Sequence, residues 1–347
     1  MFRKYYAEAM NGTRPRAVVA GASGFVGSAV VRALRSDGYL VTTIGRRTDA
    51  TWLDLAQIDA LVDGADLVIN LAGKSVDCRY TDRNRDEILR SRVDTTRILG
   101  AAVRRAKRPP RLWVNASTAT IYRHATDRPN SESTGESGTG FSVDVARAWE
   151  AAFFADDLPA TRRVALRMAI VLGPGPATAM LLTLARTGLG GPQIDGPILP
   201  HRRYRGIGEH PTGGRPAWYR TRGRQRFSWV HIDDVVGVLR FVRDRDDIAG
   251  VVNVAAPTAS DNRTLMHHLR SITGMRFGLP VWRFMLEPAM WLLRTEPELV
   301  LKSRWVVPER LTKAGYRFRF TEVDEALRAA NDEIRRRPGL PRRSGRS

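Results

Sequence analysis

The chain has 347 residues, of which 43% are apolar and 27% charged, with one cysteine, Cys78. This composition suits a globular protein and excludes a collagen-like or disordered chain, and the lone cysteine excludes an internal disulfide framework. The net charge of +20 sits mostly in residues 1–16, 198–226 and 335–347, outside the periodic segments, which argues against nucleic acid as a partner.

Residues 1–15 lack an apolar core. They read as a flexible N-terminus without a signal peptide, and the expected location is cytoplasmic. RAVVA (16–20) is a buried strand that stops at glycine. A helix is predicted from about Phe25, with Val26, Ala29, Val30, Ala33 and Leu34 on one face, ending at Gly38. LVTTI (40–44) and ADLVINLAG (65–73) are strands, and 86–106 is a long helix. RLWVNAS (111–117) is a strand, 145–155 a helix and RRVALRMAIVLG (162–173) a strand. Strands alternating with helices imply an α/β fold of Rossmann type, with a doubly wound parallel sheet.

The predicted dinucleotide-binding domain covers 16–190, and the strand at 250–257 returns to its sheet. Residues 191–226 carry no periodicity and read as a basic loop insertion, either a lid or disorder. Residues 227–332 supply the remaining strand and a smaller, mostly helical substrate lobe, and 333–347 form a basic tail. No apolar run approaches the ~20 residues that span a bilayer. The most membrane-like stretch, 279–293, is interrupted by Arg283 and Glu287 and reads as a buried or cleft-lining helix.

GASGFVG places Gly21, Gly24 and Gly27 between the first strand and the first helix. A first glycine permits the tight turn, a second lets backbone approach a pyrophosphate, and a third allows close helix packing. The phosphates would meet free N–H groups and the helix dipole around Ser23, Phe25 and Val26. At the end of the second strand, where an acid would select a 2′-hydroxyl, the chain has Arg46 and Arg47. Guanidinium groups there suit a 2′-phosphate, so NADP(H) is favoured over NAD(H). The competing reading is a solvated basic turn in an arginine-rich chain.

These motifs resemble those of the extended short-chain dehydrogenases/reductases. Asp54 occupies the place of an aspartate near the adenine amino group. INLAG resembles the strand lining the cofactor, with Leu71, Ala72 and Gly73 in contact. ASTATIY (116–122) resembles the strand that carries the active-site serine or threonine. LRMAIVLGP, which contains Arg167, resembles the segment that ends beside the nicotinamide.

A closer resemblance is to the "epimerase family protein" branch. INLAGKSV, ARAWEAA, GLGGP, FSWVHIDD and NVAAP carry it, together with an end (301–320, then VDEALRAA) similar to that branch's C-terminal domain of unknown function. The likeness covers roughly 16–330. Typical members of the wider superfamily use a Tyr-x-x-x-Lys pair to shuttle the substrate proton. Here the matching helix has Val145 and Trp149, as the atypical branch also lacks the pair. Thr118 and Tyr122 remain as candidate catalytic residues, with strand-end packing the competing reading for Tyr122. Asp233 or Asp234 reads as a helix cap, and no metal site is expected.

The resemblance implies an NADP(H)-dependent oxidoreductase or epimerase acting on an unidentified small molecule, with homodimerisation left open. The alternative is a non-catalytic NADP(H)-binding regulator, linked to cell division by the label some relatives carry.

Overall fold

The computed structural model describes residues 14–196, 206–207, 211–212, 219–286 and 301–336. Its core is a seven-stranded, wholly parallel sheet in the order β11-β6-β5-β4-β1-β2-β3. The strands are β1 (Arg16–Ala20), β2 (Leu40–Gly45), β3 (Ala50–Thr51), β4 (Leu67–Asn70), β5 (Leu112–Thr118), β6 (Arg162–Met168) and β11 (Gly250–Val254). Their centres are largely apolar because helices cover both faces, while Asn70, Asn115, Ser117 and Arg167 bring polar groups to the ends and middle of β4, β5 and β6.

In β1, Ala17 and Val19 point to the layer of α1 (Phe25–Ser36) and α6 (Ile232–Arg243). Val18 and Ala20 point to the opposite layer of α2 (Leu55–Val62), α3 (Asp82–Arg105) and α4 (Phe141–Phe154). The alternation follows from the two-residue repeat of a strand.

A second core joins α5 (Pro176–Arg186), α7 (Asn262–Thr273) and α9 (Val323–Arg336) through Leu181, Leu182, Leu265, Leu269 and Leu327. Three short strand pairs frame this lobe: β7 (Ile170–Leu172) with β10 (Trp229–His231), β9 (Arg226–Phe227) with β12 (Ser260–Asp261), and β8 (Gln193–Ile194) with β13 (Val281–Trp282). The short α8 (Glu309–Lys313) packs under the first core through Leu311.

The stretch 191–226, read from sequence as a loop insertion, therefore contains a strand. Gln225 near its end is buried, with its Nε2 donating to the Gln193 carbonyl at 3.0 Å. Between these anchors, the backbone N–H groups of Ile207 and Thr212 reach the buried Asp144 carboxylate on α4. The expectation of a lid or disorder otherwise falls on residues outside those described, as do the expectations for residues 1–13 and 337–347.

Two local features differ from the sequence reading. The N-cap of α6 is His231, whose Nδ1 accepts from the Asp233 N–H at 3.2 Å. Asp234, read as a possible cap, is buried and accepts from the N–H groups of Arg319 and Phe320 at 2.6 and 3.1 Å. It ties the C-terminal segment to the sheet domain.

Candidate functional site

A cleft of about 380 Å³ runs along the C-terminal ends of β1, β4, β5 and β6, the place where open α/β sheets bind ligands. The glycine turn forms one end. Gly21 has φ +78°, and a Cβ there would lie 2.6 Å from the Leu71 carbonyl group. A Cβ on Gly27 would lie 2.2 Å from the Gly21 oxygen, so only glycine allows the helix to start this close to the strand. Gly24 caps α1 without a side-chain hydrogen bond, and the first turn carries no acid. The helix start therefore presents N–H groups and positive dipole to a ligand.

Gly21, Gly24, Phe25, Val26 and Gly27 line the cleft, as do Leu71, Ala72 and Gly73 after β4. Ser23 instead faces a separate cavity of about 540 Å³ on the outer side of the turn, together with Arg32 and Pro176. The smaller cleft is the candidate site because it alone joins the glycine turn to Thr118. Arg46 and Arg47 are exposed just beyond β2. Asp54 caps α2 by accepting from the Gln57 N–H at 3.0 Å. These three residues lie on the surface outside the enclosed cleft.

The floor is a buried amide network. Asn70 Nδ2 donates to Asn115 Oδ1 at 2.8 Å and to Thr96 Oγ1 at 3.0 Å, and Asn70 Oδ1 accepts the Ala72 N–H at 3.1 Å. Trp149 Nε1 also donates to Thr96 Oγ1, at 3.0 Å. These bonds pin the Leu71–Gly73 turn against β5.

The other end of the cleft is lined by Thr118, Met168, Phe141, Val145 and Trp149. Thr118 Oγ1 accepts the Thr120 N–H at 3.1 Å, and it shows no further hydrogen bond among the described residues. Its own proton is thus available to a substrate oxygen. Val145 and Trp149 form part of the wall at this end of the cleft.

Two expected site residues point elsewhere. After Thr118 the strand gives way to a 3₁₀ turn, Ala119–Ile121, which breaks the alternation that would have kept Tyr122 on the face of Thr118. Tyr122 is buried, and its hydroxyl donates to Asn253 Oδ1 at 2.8 Å while accepting from Arg167 Nη1 at 2.9 Å. Burial raises its pKa, which disfavours ionisation. Arg167 likewise does not line the cleft. Its Nε and Nη2 donate to the two oxygens of Glu150 at 2.8 and 2.7 Å. Ser117 Oγ donates to the same carboxylate at 2.5 Å. The set forms a buried brace between the sheet and α4, with Ser117 also lining the cleft.

The sequence reading missed Glu150 and Arg92. Both interrupt an inward helical stripe: Ile88, Arg92, Thr95, Leu99 on α3, and Ala146, Trp149, Glu150, Phe153 on α4. That intrusion of charge at helical spacing was the available signal. Arg92 lines the cleft beside Gly73, its guanidinium 5.2 Å from the Trp149 ring centroid. Nη1 donates to the carbonyls of Lys74 and Ile88 at 3.1 and 3.0 Å. Among the described residues it has no carboxylate partner. Burial pushes its pKa down to about 10, so it remains a cation at neutral pH.

Comparison with known proteins agrees with this geometry. The model of the NAD dependent epimerase/dehydratase family matches residues 17–255, and a domain of unknown function, DUF1731, matches 283–330. Epimerase family protein SDR39U1 of Mus musculus is 30% identical over 325 residues, covering 90% of this chain and 98% of its own. The crystal structure of human SDR39U1 (isoform 2) with NADPH aligns with a TM-score of 0.76 at 27% identity, covering 91% of this chain and 99% of that one. MoeE5, solved in complex with UDP-glucose and NAD, aligns at 0.67 and 22% identity over 92% and 99% of the chains, which shows the shared fold. The glycine turn, the parallel sheet and the matched C-terminal domain together make the chain a member of the NAD-dependent epimerase/dehydratase family, in the atypical short-chain dehydrogenase/reductase branch that includes SDR39U1.

Proposed function

We propose that the chain binds NADP(H) and is an oxidoreductase or epimerase-type enzyme acting on a small molecule. The observation that carries this reading is a single cleft joining the uncapped start of α1 to the free hydroxyl of Thr118, with Arg46 and Arg47 exposed beyond β2. The site fits the cofactor chemically. The Phe25 and Val26 N–H groups would hold the pyrophosphate, Arg46 and Arg47 the 2′-phosphate, and Asp54 the adenine edge. Leu71–Gly73 and Met168 would flank the nicotinamide end.

A bound nicotinamide supplies the hydride chemistry. Thr118 orients the substrate oxygen by donating its hydroxyl proton in a hydrogen bond. Arg92, a cation held against Trp149 without an acidic partner, supplies the positive charge that the absent lysine would have supplied. Phe141, Val145 and Trp149 exclude water from the reacting end. The Val145 and Trp149 wall favours a second reading, an NADP(H)-binding protein without turnover.

Fluorescence titration tests the cofactor assignment. NADPH should bind more tightly than NADH, and Arg46→Ala should narrow the gap. Equal affinities in the parent protein would overturn the assignment. Turnover of bound NADPH with any substrate separates the two readings.

A further inference from the structure

The described residues expose nine large hydrophobic side chains, and five of them fall within nine residues of one another: Phe277, Leu279, Trp282, Phe284 and Met285, between 38% and 68% exposed. Single exposed apolar residues are ordinary, whereas a contiguous group marks an interaction surface. Backbone hydrogen bonds tie the start of this segment to the lobe. The Leu279 N–H donates to the Gly188 carbonyl at 2.9 Å, the Val281 N–H to the Pro192 carbonyl at 3.0 Å, and β13 pairs with β8.

Along β13 and the residues after it, Val281, Arg283 and Leu286 turn inward while Trp282, Phe284 and Met285 turn out. The buried side even carries an ion pair, Arg283 with Asp195 at 2.9 Å. Water would select the reverse arrangement, with the charge outside and the aromatic rings within.

The surroundings are basic. Apart from the buried Arg283, residues 262–286 contain Arg263, Arg270 and Arg276 and no aspartate or glutamate. Arg276 is exposed next to Phe277. Arg222 and Arg224 are exposed on a turn whose Gly223 lies against Pro192, one residue from Gly191, which abuts the Leu279 carbonyl. Apolar and aromatic side chains rimmed by guanidinium groups complement the negative surface and shallow acyl boundary of an anionic bilayer.

We propose that this face docks the protein peripherally on an anionic lipid surface. None of the five side chains lines the cofactor cleft, so the proposal stands apart from the reading of that site. The test is co-sedimentation of the full chain with vesicles of phosphatidylcholine alone, and of phosphatidylcholine and phosphatidylglycerol in equal parts.

Binding should require the anionic lipid and weaken with salt. The Trp282→Ser, Phe284→Ser double variant should lose about tenfold or more in vesicle affinity, with NADPH affinity and melting temperature unchanged. Three results overturn the proposal. One is no binding to either vesicle. A second is undiminished binding by the double variant, which would assign attraction to the remaining arginines alone. The third is a dimer, formed without vesicle binding, that the same substitutions dissolve; it would make a second copy of the chain the occupant.

Discussion

Removing the Glu150 carboxylate should unfold the protein more readily without touching the cofactor site. In the folded state Glu150 accepts from Arg167 Nε, Arg167 Nη2 and Ser117 Oγ, and the Arg167 and Glu150 side chains are only 16% and 11% exposed. Glu150→Ala leaves the guanidinium largely out of water with the Tyr122 hydroxyl as its remaining partner, and leaves the Ser117 hydroxyl without its acceptor. Breaking a buried pair from one side typically costs about 3–5 kcal/mol, and the stranded hydroxyl adds on the order of 1 kcal/mol. We therefore expect a loss of at least about 3 kcal/mol, read by urea denaturation followed through tryptophan fluorescence. Arg167→Ala should cost a similar amount. The double variant should lose less than the two single losses added together, by about 2 kcal/mol or more, because the partners fail as a unit. NADPH affinity should stay within about twofold throughout, since neither side chain lines the cleft. A Glu150→Ala loss below about 1 kcal/mol would refute the brace. So would an Arg167→Ala variant of full stability that binds NADPH far more weakly, which would restore the cofactor role expected from sequence.

Three further outcomes follow from the site and the fold. NADPH oxidation with simple ketones, aldehydes or nucleotide sugars should stay near background, because the Tyr-Lys pair that supplies about 10²–10⁴-fold is absent; rapid turnover would refute this. On any substrate that does react, Thr118→Val should lower kcat about tenfold while sparing NADPH affinity, and full activity in that variant would exclude Thr118. Stability should also fall with acid. Burial lowers the His231 pKa from 6.5 to about 4, so between those values the unfolded chain binds a proton that the folded chain refuses. Its stability contribution is complete above about pH 6.5 and declines toward pH 4, by up to roughly 3 kcal/mol. His124, also lowered to about 4 by burial and by neighbouring Lys302 and Arg123, acts in the same direction. His231→Asn keeps a helix-capping side chain and should flatten the pH dependence of the melting temperature in part. An unaltered slope would show that His231 does not titrate this way.

Local patterning determined a large share of this protein. The glycine spacing, the apolar run before it and the stripe after it specify a strand, a tight turn and a helix start, because only glycine tolerates Gly21's φ of +78° and the contact at Gly27. Strands with apolar centres alternating with helical stripes specify a sheet covered on both sides. The same order of reasoning places Arg46 and Arg47 at an exposed strand end, and the absence of a tyrosine and a lysine on α4 is visible in the letters alone.

What local pattern cannot carry is the pairing of side chains far apart in the chain. Thr118 and Tyr122 look alike as strand-end hydroxyls until a one-turn 3₁₀ segment rotates the second toward Asn253, 131 residues away. Arg167 has the sequence position of a nicotinamide contact, yet it is in register with Ser117 on the neighbouring strand, and both turn to Glu150. Arg92 reads as one arginine among many until packing against Trp149 and Gly73 leaves it in the cleft without an acid. In each case the decision rests on the direction of a side chain within the assembled layers. Periodicity assigns a residue to a face, and tertiary packing alone supplies the partner waiting there.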